Sequence, residues 1–117
     1  MKKEIKLYNG ISLVKKKFKK NQIYYYLNTP AISIIIPAIK KKFLVVSQKR
    51  IPINKRTFEF PGGLVDKGET AAKSASREMF EETGYKSLNK VSKLVNLYPD
   101  PGRLNCEYIS FYTKRII

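Results

Sequence analysis

The sequence predicts a mixed α/β domain, with one helix set among β-strands, and three observations carry that expectation. Residues 70–84 hold a helical pattern with its own start and stop signals, Thr70 and Gly84. Apolar runs of strand length occupy 31–39, 43–47 and 91–98. No internal repeat or low-complexity linker divides the 117 residues, 43% of them apolar, which is enough for a single core and no more.

Taken in order, residues 1–28 alternate loosely (Ile5, Leu7; Ile11, Leu13; Ile23, Tyr25, Leu27), as edge strands or hairpins do. Residues 31–39 read as a buried strand, 40–42 as a turn and 43–47 as a second strand. Their nearly continuous apolar character suits a sheet covered on both faces. With Pro52 and Asn54, residues 48–57 read as a loop, and 58–60 as a short strand entering Pro61-Gly62-Gly63. Thr70 caps a helix over Ala71 to Thr83, whose packing stripe is Ala72, Ala75 and Met79. Beyond it come a strand over 91–98, a tight Pro/Gly-rich loop over 99–105 and a final strand over 106–117.

Composition excludes several chemistries. There is no histidine, so His general bases, His-containing triads and His-ligated zinc are ruled out. Cys106 is the single cysteine, expected to be a buried structural thiol; no disulfide forms within the chain, which fits a reducing cytoplasm. The first ten residues are basic but lead into no apolar h-region, so a signal peptide is not expected. The run 31–39 is too short to span a bilayer and is broken by Pro37. A net charge of +15 favours polyanionic partners. Lys15 to Lys20 and Lys40 to Lys42 nevertheless read as solvated strand ends and turns, so nucleic acid is not expected as a partner.

Against that basic background stands an acidic island. Six of the nine acids fall between Glu59 and Glu82, where Lys67, Lys73 and Arg77 are the only bases. Glu78, Glu81 and Glu82 share one stripe of the helix. Three carboxylates there repel one another, and Glu81 and Glu82 sit at the end where the helix dipole disfavours negative charge. A solvated acidic face needs no such conflict with helix stability. Hard divalent cations take carboxylate oxygens, so the cluster points to a metal site.

Gly63, Glu69, Arg77, Glu78, Glu81, Glu82 and Gly84 fall at the spacing G-x5-E-x7-R-E-U-x-E-E-x-G-U, where U is apolar. This resembles the Nudix box, the signature of hydrolases that split nucleoside diphosphates linked to another moiety; Tyr85 fills the last apolar slot with a half-polar ring. The resemblance implies an α/β/α sandwich with a mixed sheet. Outside the box, Gln48, Arg50 and Pro52, then Glu59 to Gly63, then Pro99 to Gly102 resemble the ADP-ribose pyrophosphatase (ADP-sugar diphosphatase) branch over roughly residues 26–113.

Carried across, the resemblance implies that Glu78 and Glu82 are the principal metal ligands, with Glu81 close behind and the Gly62 carbonyl completing the shell. Glu69 and Arg77 orient those side chains, and Glu59 is an outer candidate. Arg50 grips the substrate pyrophosphate, a task suited to a guanidinium. Gly63, Leu64, Asp100 and Gly102 line the substrate site, the last two at the terminal-ribose pocket. The implied cofactor is Mg2+, with Mn2+ as a substitute, and the implied reaction gives AMP and a sugar phosphate from ADP-ribose or a related ADP-sugar.

In that branch the chains pair through N-terminal strands, which implies a homodimer through 1–28 and a Nudix domain over 29–117. The branch also continues with further strands and a C-terminal helix past the point corresponding to Ile117, and a loop there supplies another glutamate. On that reading the chain is either a natural short form or a fragment of a longer frame, and its last strand is left with an unpaired edge. Two other functions stay open on the sequence: hydrolysis of another nucleotide, such as a nucleoside triphosphate or dinucleoside polyphosphate, and non-catalytic nucleotide or RNA binding by a Nudix domain.

Overall fold

The computed structural model describes residues 2–117. Three strands, β1 (Lys2–Lys6), β2 (Ser12–Lys19) and β3 (Gln22–Asn28), form an antiparallel meander in the order β1-β2-β3. Asn9 and Asn21 take left-handed conformations in the two turns, φ 55° and 64°, a geometry asparagine tolerates better than most residues.

The main sheet is built on β4 (Ile32–Ile39), which pairs in parallel with β10 (Tyr108–Thr113) along one edge. Its other edge pairs antiparallel with β8 (Gly62–Leu64) and with the two-residue β5 (Lys42–Phe43). β9 (Ser92–Leu97) runs antiparallel on the far side of β10. The sheet is therefore mixed. Alternation along β4 turns Ser33, Ile35 and Pro37 inward and leaves Ile32, Ile34 and Ile36 half-buried.

α1 (Ala71–Thr83) packs on the inward face. Ile35, Ala75, Met79, Val91 and Phe111 form the core, with Ala71, Ala72, Ile109 and Ile116 against it. Ser33 donates its hydroxyl to Ser74 at 2.8 Å, so the polar side chains under the helix satisfy each other. Cys106 is buried, as expected.

Three expectations are corrected. The strand expected over 43–47 is split, since Lys42–Phe43 pairs with β4 whereas residues 46–47 begin a strand of another sheet. Residues 48–57 are no loop: β6 (Val46–Arg50) and β7 (Lys55–Glu59) form a hairpin, with Val46 opposite Glu59 and Arg50 opposite Lys55. Pro52 sits in a 3-10 turn over Ile51–Ile53, and Asn54 (φ 51°) reverses the chain. The final strand ends at Thr113, short of 117. Beyond it Ile116 bridges to Ser87, and the backbones of Ile117 and Lys86 exchange two hydrogen bonds of 2.9 and 3.0 Å, so this end is paired.

Candidate active site

Thr70 accepts a hydrogen bond from the Lys73 N–H at 3.2 Å, and Gly84 closes α1 with φ 78°. The helix thus starts and stops in register to turn Glu78 and Glu82 toward β8. The Gly62 N–H donates to Glu82 Oε1 at 3.1 Å. At Gly63 a Cβ atom would fall on the Glu78 carboxylate, so only glycine leaves that carboxylate its place.

Glu78 and Glu82 lie side by side. Burial, reinforced by the neighbouring Glu78 charge, pushes the Glu82 carboxyl above its ordinary range, although the Gly62 N–H pulls the other way. Glu81 does not join them. Each helical residue turns about 100°, which sets Glu82 about 40° to one side of Glu78 and Glu81 about 60° to the other. Glu81 is half exposed, and its partner is Arg77.

Arg77 ties the cluster together. Nε and Nη2 donate to the two oxygens of Glu69 at 2.8 and 3.0 Å, and Nη1 donates to Glu78 and Glu81 at 3.0 and 3.1 Å. Nη2 also donates to the Leu64 carbonyl at 3.4 Å. The Glu69 hydrogen bonds raise the Arg77 pKa and, in return, lower that of Glu69.

Arg50, at the end of β6, is not in a loop and not free. Its Nε and Nη2 donate to both oxygens of Glu59 at 2.7 and 2.5 Å, and Glu59 also accepts from the Thr57 hydroxyl. The Arg50 hydrogen bonds, then that of Thr57, lower the Glu59 pKa to about 2. Arg50 also feels the Glu82 charge, which puts the pair within electrostatic reach of the helix carboxylates. Tyr108 on β10 belongs to the same neighbourhood and was missed by sequence reasoning. Burial raises its pKa, and Arg50, Glu59 and Cys106 also act on it.

Asp100 and Gly102 make other contacts. Asp100 accepts from Arg103 Nε at 2.7 Å, and the Gly102 carbonyl accepts from the Tyr24 hydroxyl at 2.8 Å. Asp100 lines a cleft of about 390 Å3 with Leu13, Tyr25, Tyr26 and Arg103, at the junction with the N-terminal meander. A roomier groove of about 700 Å3 lies along another side of α1, between Lys73, Phe80 and Lys90. Neither cavity is lined by Glu78 or Glu82, so cavity volume does not mark the carboxylate pair.

Among the described residues no three Asp, Glu, His or Cys side chains form a ready metal cage. Mg2+ rarely needs one, since it is usually held by one or two carboxylates together with substrate phosphates. Two adjacent carboxylates, one already disfavoured as an anion by burial, suit that mode.

The Nudix domain model matches residues 27–115, and the chain belongs to the Nudix family. It is 43% identical over 72 residues to the putative nudix hydrolase 2 of Caenorhabditis elegans, covering 58% of this chain and 32% of that one. With the ADP-ribose pyrophosphatase of Methanocaldococcus jannaschii it shares 34% identity over 99 residues, 84% of this chain and 55% of the relative. The crystal structure of an ADP compounds hydrolase superposes with a TM-score of 0.79 at 17% identity, over 100% of this chain and 66% of that one, a likeness of fold. The chain spans between about a third and about half of the length of these curated relatives. Among the described residues no helix is long and apolar enough to cross a membrane.

Proposed function

We propose that this chain carries the hydrolytic centre of a divalent-metal-dependent pyrophosphatase acting on ADP-ribose or a related ADP-sugar. The observation that carries the reading is the Glu78–Glu82 pair, set side by side against Gly62 and Gly63. That the Methanocaldococcus jannaschii relative is an ADP-ribose pyrophosphatase supports the substrate class.

Glu78 and Glu82 would hold the metal, Mg2+ or Mn2+; Glu81 serves in orientation through Arg77. A divalent cation there supplies charge neutralisation on the pyrophosphate and acidifies water. Arg77 fixes the Glu78 carboxylate, and Gly63 leaves room for it. Arg50 keeps N–H groups beyond the two that hold Glu59, and these donate to a phosphate oxygen. Water adds its oxygen to one phosphorus as the bridging P–O bond breaks, giving AMP and, from ADP-ribose, ribose 5-phosphate. Leu64, Asp100 and Gly102 belong to the substrate side of the reading, and the meander over 1–28 is its pairing segment beside a catalytic unit over 29–117.

A nucleotide panel with chromatography of the products tests this. AMP and ribose 5-phosphate from ADP-ribose, formed with Mg2+ and abolished by chelator, is the expected result. Preferential turnover of nucleoside triphosphates or dinucleoside polyphosphates would replace the substrate, and binding without turnover would replace the enzyme reading.

A further inference from the structure

The β6–β7 register places Arg50, Gln48 and Val46 opposite Lys55, Thr57 and Glu59, and period-two alternation puts all six on one face. Along that face the Arg50 side chain runs back past Thr57 to reach Glu59. Both contacting nitrogens, Nε and Nη2, are bound to one carboxylate, and that carboxylate is itself held by the Thr57 hydroxyl. A guanidinium carries five N–H donors. Glu59 uses two, leaving both Nη1 protons and one on Nη2.

We infer that Glu59, held by Thr57, is a positioning residue that fixes the Arg50 guanidinium with its unused N–H edge available to an anionic phosphate beside the Glu78–Glu82 pair. Arg50 is about half exposed, its side chain 48% accessible. Without Glu59 it would sample many rotamers, and ligand binding would have to order it. Preorganisation of this kind strengthens binding without adding a contact to the ligand. An opposing effect exists, because Glu59 is an anion near an anionic substrate. The bidentate geometry and the second anchor from Thr57 decide in favour of positioning: Glu59 is already neutralised by the arginine it holds.

This inference rests on the ADP-ribose reading, and the test separates the two. Calorimetric binding of ADP-ribose in chelator is measured for wild type, Glu59→Gln, Thr57→Val, Arg50→Ala and the Arg50→Ala/Glu59→Gln double variant. KM and kcat are then measured in Mg2+. Glu59→Gln should weaken metal-free binding and raise KM by about five- to tenfold, with kcat nearly unchanged. Thr57→Val should move both in the same direction by less. In the Arg50→Ala background Glu59→Gln should add nothing. Equal or tighter binding by Glu59→Gln overturns the inference, as does a loss that persists without Arg50. A defect confined to kcat in Mg2+ would make Glu59 a metal ligand and overturn it too. If folded wild type binds no ADP-ribose, the substrate reading itself falls and takes this inference with it; wild-type binding that Glu59→Gln leaves unchanged sinks this inference alone.

Discussion

A methyl group added at Gly62 would meet the Ser33 carbonyl, while one added at Gly63 would meet the end of the Glu78 side chain. The two adjacent glycines therefore fail differently. Backbone cannot move aside cheaply, so Gly62→Ala should lower Tm by prising β8 from β4. A carboxylate can swing away, so Gly63→Ala should keep its Tm and lose about a hundredfold in kcat/KM, measured against wild type in Mg2+. The Arg50–Glu59 pair makes a separate prediction. A carboxyl whose pKa is lowered to about 2 stabilises the fold fully above its unfolded value of 4.5 and loses that contribution as pH falls toward 2. Thermal unfolding of wild type should exceed that of Glu59→Gln near neutrality, and the gap should close between about pH 4.5 and pH 2. Glu78 and Glu82 were legible in the sequence because a four-residue spacing on a helix is local information. Tyr108 was not, because β10 brings it to the site from a distant part of the chain, and Thr57 was not, because the strand that sets it beside Glu59 was read as a loop.

At the scale of elements, α1 was the most legible part of the chain. Its cap, its stop and its stripe of Ala75 and Met79 are all written within fifteen residues, and the helix runs from Ala71 to Thr83 as the sequence predicts. Thr70→Ala should cost about 1 kcal/mol in denaturant unfolding through loss of the cap. Met79→Ala, at a fully buried position, should cost about 2–5 kcal/mol. The β6–β7 hairpin was illegible for a physical reason. Pro52 and Asn54 are turn residues, and Lys49, Lys55 and Arg56 are exposed, so the segment lacks the apolar alternation that announces a strand. Two-strand pairing on a mostly exposed face leaves little trace in composition. Reading it as a loop also hid the Glu59 partner of Arg50.

Over the whole molecule the shape is elongated, 56 × 31 × 23 Å, with a radius of gyration of 16.7 Å. A compact domain of this length would have about 13 Å. The N-terminal meander makes contacts of its own with the 100–105 loop: Leu27 N–H donates to the Arg103 carbonyl at 2.8 Å, and the Leu27 carbonyl accepts from Asn105 N–H at 3.1 Å. Ile5, Leu7, Ile23 and Tyr25 remain exposed on it. If the meander pairs two chains, light scattering should give a dimer mass at physiological salt and a smaller mass at low salt, where the +15 charge repels more strongly. A monomer at both would remove that surface from the account. We propose that the chemistry resides in Glu78 and Glu82, with Glu81 acting from outside through Arg77. Single-turnover cleavage of ADP-ribose in Mg2+ by three separate Glu→Gln variants tests it most directly. Glu78→Gln and Glu82→Gln should each slow cleavage by more than about a hundredfold, and Glu81→Gln by less than about tenfold. Near-normal cleavage by Glu82→Gln, or equal losses in all three, would contradict the account.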